Sequence, residues 1–345
     1  MMIKYLLLAL PLFTVLTPSV AQTGGQSVRF HDEAGTSQIS VEVGRKPFTA
    51  YWYGDTLAKP ILFPVRTASG HTVTRGFPIA PRPGERTDHP HQAGIWSTFE
   101  DVNGLDFWNN SYAIKGERRQ HLGWIRQDSV LEMKDGTPGV LTIRAYWENP
   151  QGERLLREVT RFVFSGNRHS RQIDRITTLT ALVPVTFHDR KDGLLGMRVA
   201  RALEMPSTPG LEAMTGNHSG RPMNTSSPAN GNYLSSTGLQ GDSVWGSRAR
   251  WCMLYGKQGS ETESITIFDH PGNPGYPTYW HARGYGLFAA NPLAPSAFDK
   301  TADSMNLHLA PGASATFRYR ILIVDGRDHP GPEVLNRIAD DFGKR

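Results

Sequence analysis

Apolar and polar residues alternate along much of the chain. Residues 28–31 and 39–43 read as strands with one buried face, and the aromatic run 48–53 continues them to a turn at Gly54-Asp55. Residues 59–65 form another strand whose prolines favour an edge or an irregular connection. Further strands fall at 116–126, 129–134, 139–148, 155–164 and 170–182, separated by turn signals such as Asp135-Gly136 and Ser165-Gly166-Asn167. Neighbouring strands joined by short turns predict antiparallel meanders, not strand–helix alternation. Segments 194–202, 243–255, 264–268, 305–309 and 315–324 extend the β pattern. Residues 217–241, rich in Gly, Ser, Asn and Pro, predict a long surface excursion. Only 332–342 carries helical spacing, through Val334, Leu335, Ile338 and Phe342.

The N-terminal segment changes the setting. Lys4, the apolar run 5–16 and the small residues Ser19-Val20-Ala21 match a secretory signal peptide over residues 1–21. The expected mature chain is one β domain, 22–345, exported to the periplasm or beyond, with no later membrane span. A single cysteine, Cys252, allows no intrachain disulfide, so stability must come from a large core. The formal charge of +5 is dispersed, which gives no nucleic-acid face. The sequence sets no oligomeric state.

Chemistry concentrates in two stretches. The first, 86–108, gathers Arg86, Asp88, His89, His91, Glu100, Asp101, Asp106 and Trp108 among Gly, Pro and Asn. Pro90 disfavours the α region for His89, which predicts an extended 88–91 with both imidazoles facing one pocket. Two converging histidines suit a metal ion, acid–base work, or hydrogen bonding to a polyhydroxylated ligand. The second, 269–286, offers Asp269, His270, Asn273, Tyr276, Tyr279, Trp280, His281, Arg283 and Tyr285. Aromatic faces stack on sugar rings while Arg, Asn, Asp and His satisfy hydroxyls. A charged loop at 188–193 adds Asp192, followed by Arg198. No Gly-rich segment stands between a strand and a helix, which excludes a phosphate or dinucleotide loop.

In these stretches the chain resembles the DUF6807 family, often labelled the PmoA family. The resemblance rests on Asp88-His89-Pro90-His91, Asp101-Val102-Asn103-Gly104-Leu105-Asp106-Phe107-Trp108, residues 193–200, Asp269-His270-Pro271-Gly272-Asn273-Pro274, and 283–292. It departs from the family form at Gln92-Ala93, where a second histidine and an arginine are common. The β pattern is also similar to galactose mutarotase-like proteins, which implies a mainly β fold: a large antiparallel β-sandwich (supersandwich) with long loops and a C-terminal helix. The resemblance further implies an exported protein of carbohydrate use. The resulting expectation is a carbohydrate-active enzyme that cleaves a glycosidic bond. Its alternatives are a non-catalytic carbohydrate-binding protein and an epimerase or mutarotase-like enzyme. Expected catalytic residues are His89, His91, His281, Asp88, Asp192 and His270. Expected substrate contacts are Arg86, Asp106, Trp108, Arg198, Asn273, Tyr276, Trp280, Arg283 and Tyr285. No cofactor is predicted. A divalent metal held by two or three of the histidines and a carboxylate is the variant of that reading.

Overall fold

The computed structural model describes residues 24–206 and 229–345. The expected signal peptide and residues 217–228 of the expected excursion lie outside them. In chain order come β1 (Val28–Asp32), β2 (Gln38–Val43), β3 (Lys46–Trp52), β4 (Ile61–Leu62), β5 (Ile95–Phe99), β6 (Trp124–Lys134), β7 (Gly139–Glu148), β8 (Arg154–Gly166) and β9 (Ser170–Ala181). Then follow β10 (Val185–Phe187), β11 (Gly193–Arg198), β12 (Asn232–Ser235), β13 (Trp251–Gln258), β14 (Glu261–Asp269), β15 (Tyr279–Ala282), β16 (Leu287–Asn291), β17 (Leu307–Leu309) and β18 (Ser314–Gly326). A helix, Pro332–Gly343, closes the chain.

All but β10 and β17 pair antiparallel into two eight-stranded sheets, and those two strands pair antiparallel with each other. The first sheet runs β1-β2-β3-β4-β5-β11-β16-β15 and the second β12-β13-β14-β18-β9-β8-β7-β6. Their inner faces share one continuous apolar core, in which Ile95, Leu195, Met197 and Phe288 of the first sheet meet Ile143, Phe162, Ile265 and Ile321 of the second. The protein is therefore mainly β, an antiparallel sandwich with a C-terminal helix. Residues 139–148 alternate buried and half-buried, as one core-facing side dictates.

Three expected elements differ. Residues 116–121 form a 3-10 turn before β6 rather than a strand, and 241–244 form another before β13. Within the expected excursion, Asn232–Ser235 is a strand at the edge of the second sheet.

Each sheet also has a covered outer face. On the second, Trp251, Met253, Phe268 and Leu322 pack under Leu335, Ala339 and Phe342 of the C-terminal helix. On the first, Trp96, Trp108, Phe63, Leu287 and Ala289 form a separate apolar cluster. Register aligns Trp96 with Gly196, Gly196 with Ala289, and Ala289 with His281, so one row crosses four strands on this outer face. At the usual strand spacing that row is about 14 Å long.

Gly196 has a steric reason to be glycine. A Cβ there would stand 2.6 Å from Trp96 Cε2 and 2.8 Å from Trp108 Cη2. Gly196→Ala is expected to destabilise the fold by about 1–3 kcal/mol and to shift tryptophan fluorescence; an unchanged denaturation midpoint would show that the indoles do not seal this face.

Candidate functional site

The 86–92 loop is shaped by a residue far from it in sequence. Arg75, fully buried, donates to the carbonyls of Arg86 (3.3 Å), Asp88 (2.8 Å), His89 (3.0 Å) and Gln92 (2.9 Å), and to Asp88 Oδ1 (2.8 Å). One guanidinium thus satisfies most of the carbonyls that an irregular buried segment leaves unpaired. Wrapping around it gives His89 a positive φ of 45°, and the Gln92 N–H closes a turn onto the His89 carbonyl at 3.0 Å. The expected extended 88–91 is therefore wrong. The imidazoles are adjacent because of the turn, with ring centroids 5.6 Å apart.

Asp88 is the hub of this end. Its Oδ1 accepts from Arg75 and from Arg198 Nη2, each at 2.8 Å, and its Oδ2 lies 2.8 Å from His89 Nδ1. Burial disfavours its charge, but the His89 hydrogen bond and the two guanidiniums together hold the carboxyl far below the usual range. Arg198, also fully buried, reaches Gln92 Oε1 at 2.5 Å and lies over the Tyr285 ring at 4.8 Å. Gln92 therefore has a structural partner, and Ala93 packs in the Trp96 cluster. Tyr285 stacks on His89 with centroids 5.4 Å apart and planes 3° from parallel.

The other end of this face is acidic. His281, buried on the outer-face row, has Nδ1 3.2 Å from Asp192 Oδ1. Lys191 Nζ holds the other oxygen, Oδ2, at 2.8 Å. Burial opposes Asp192's charge, yet His281 and Lys191 bring its pKa down to about 2. Glu100 follows β5 and donates its N–H to the Asp192 carbonyl at 2.9 Å. Its carboxyl moves the opposite way, raised by burial and by Asp192's charge, and its Oε2 is buried without a partner.

His91 joins the two ends. Burial, then the charges of Lys59 and His89, push it well below the ordinary histidine value, against an opposing pull from Asp192. Lys59 lies beneath, buried, donating to the Trp108 carbonyl at 2.6 Å, and burial lowers it to about 7 despite Asp106. Asp106 is itself raised by burial and takes two hydrogen bonds from Asn109 at 2.9 Å each.

The structure therefore brings Asp88, His89, His91, Asp192, His281, Arg198, Tyr285, Asp106 and Trp108 to the outer face of the first sheet. Arg283, exposed, lies 6.0 Å from the Tyr285 ring. Trp108 lies wholly buried in the floor, 5.1 Å from Trp96, and Arg86 is buried against Glu204 at 2.9 Å, so neither presents a free surface. Four expected residues do not belong. Trp280 points into the inter-sheet core and donates to the Ala249 carbonyl at 3.0 Å, because its position on β15 has inward parity. His270 packs edge-on against Phe342 of the C-terminal helix, on the opposite side of the sandwich. Asn273 ties its loop to Asp269 (2.7 Å) and to the Arg318 carbonyl (2.8 Å). Tyr276 lines a separate cavity of about 350 Å³ beside that helix with Asp269, whose carboxyl burial raises to about 7.

Arg75, Lys59 and Glu100 were absent from the expected site. Arg75 and Lys59 carry no local motif. Glu100 stood in the first stretch, and its alternation with Trp96 and Thr98 is the signal that could have placed it. Among the described residues, no group of three or more His, Cys, Asp and Glu is arranged to hold a metal ion, and no helix is long and apolar enough to cross a membrane.

The depressed Asp88 pKa fixes the sign of a pH effect. Its stabilisation is present above the unfolded value near 4 and is lost as pH falls below it. Asp88→Asn is expected to cost roughly 3 kcal/mol at neutral pH, with the gap to wild type closing in acid. A pH-independent difference in urea melts would contradict this.

No curated protein is significantly similar to the chain in sequence. Among solved structures, the GH36 alpha-galactosidase AgaB from Geobacillus stearothermophilus aligns at 10% identity and TM-score 0.41, over 87% of this chain and 41% of its own. The Slr1438 protein from Synechocystis sp. PCC 6803 aligns at 11% identity and TM-score 0.32, over 87% and 96%. A Glycoside Hydrolase Family 97 enzyme from Pseudoalteromonas sp. strain K8, solved with acarbose, aligns at 10% and 0.34, over 87% and 34%. The chain thus spans about two fifths of the alpha-galactosidase's length. The profile of the family of unknown function DUF6807 matches residues 38–339, in keeping with the motifs around Asp88 and Asp269, and the chain belongs to that family.

Proposed function

We propose that the protein is an exported carbohydrate-active enzyme that cleaves a glycosidic bond on the outer face of the first sheet. The observation that carries the reading is the opposite direction in which two neighbouring carboxyls are pushed. Asp192 is held ionised by Lys191 and His281, while Glu100 is favoured in its neutral form by burial and by Asp192 itself. Carboxyls driven apart in this way supply an acid for the leaving oxygen and a base or nucleophile for the anomeric centre. His91, kept neutral, is a hydrogen-bond partner or auxiliary base for sugar hydroxyls, and His89 is oriented for the same surface by Asp88 and Tyr285. Asp88 itself is committed to two guanidiniums and acts by positioning.

Turnover on an oligosaccharide panel tests this. Glu100→Gln and Asp192→Asn are each expected to lower kcat by about 10²–10⁴-fold with binding retained. The loss in Glu100→Gln should shrink for substrates whose leaving group needs no proton. The alkaline limb of the pH–rate profile should report Glu100, because activity falls as that carboxyl loses its proton. Wild-type protein that binds sugars yet turns none over would make this a binding protein instead.

A further inference from the structure

At the His89 end of the first sheet's outer face, Arg75 and Arg198 share one carboxylate, Asp88. Burial and then Arg198's charge lower Arg75 to about 9 against the opposing pull of Asp88, Glu204 and Glu85, and Arg198 also helps to depress His91. Arg283 adds a third guanidinium near Tyr285. It is exposed, lies 5.4 Å from the Trp245 ring and 6.0 Å from the Tyr285 ring, and among the described residues its side chain makes no hydrogen bond or ion pair. Tyr285 carries Arg198 at 4.8 Å and stacks on His89, which is one-third exposed, so one ring is shared by Arg198, His89 and Arg283.

An exposed arginine is ordinarily paired or free to swing in water. Here two aromatic rings restrain it, which lowers the conformational cost of engaging a ligand and leaves its planar fork of donors open. That fork matches a carboxylate or a sulfate.

We infer that this face takes a carbohydrate bearing an anionic substituent, a carboxylate or a sulfate ester, read by Arg283. The inference rests on the carbohydrate reading above and adds the substrate's charge class. An anion on this face also offsets the repulsion between Arg75 and Arg198, which a neutral sugar does not.

Calorimetric titration separates the two levels. The probes are uronic-acid oligosaccharides, their carboxyl-reduced neutral counterparts, and O-sulfated counterparts, each with wild type, Arg283→Gln and Arg283→Lys at low and high salt. The expected result is at least about a tenfold preference for one anionic set over the neutral one, weakened by salt, lost in Arg283→Gln and partly kept in Arg283→Lys. Which anionic set is preferred identifies the substituent. Equal binding of neutral and anionic sugars by wild type overturns the inference and leaves the carbohydrate reading standing. An anionic preference that survives Arg283→Gln overturns the assignment to Arg283. Wild type that binds no member of any set overturns the carbohydrate reading and the inference with it.

Discussion

A single buried carboxylate between two guanidiniums organises the functional face. Asp88 joins Arg75, which gathers the carbonyls of the 86–92 loop, to Arg198, which reaches Gln92 and carries Tyr285. The His89 imidazole takes its orientation from Asp88 on one side and Tyr285 on the other. Removing any member leaves a buried charge or several unpaired carbonyls, which is far more costly than losing a surface ion pair. The clamp explains how an irregular loop rich in Gly and Pro can present side chains with fixed geometry.

The clamp works because the sheet beneath it is covered. Trp96 and Trp108 fill the outer face over Gly196, and Lys59 lies below them in a setting dry enough to lower its pKa to about 7. Dry surroundings strengthen every electrostatic effect on this face. The same burial lifts Glu100 and Asp106 and depresses His91. Asp192 escapes that trend only because Lys191 and His281 are in contact with it.

These features also explain what the sequence could and could not disclose. Strands of the second sheet that face water on one side, β7 to β9, alternate cleanly and were readable to within a residue or two. Strands β5, β15 and β16 were not, because both of their faces are buried and their patterns are continuous. The pairing of His89 with His91 was legible from spacing alone, although a turn around Arg75 produces it rather than the expected extended chain. Arg75 and Lys59 could not be found from sequence, since their roles arise from contacts with residues distant in the chain. His270 and Trp280 misled for a related reason. They share a motif-rich segment with His281, but His270 stands before that segment crosses from the second sheet to the first, and Trp280 neighbours His281 on β15 with the opposite, inward parity.

A crystal structure with a bound oligosaccharide would locate the sugar on the protein. The account places the sugar on the outer face of the first sheet, in contact with His91, Asp192 and Tyr285 and with Arg283 at its edge. A sugar bound instead in the polar cavity of about 450 Å³ formed by Asp101, His188 and Arg190, or beside the C-terminal helix, would contradict it.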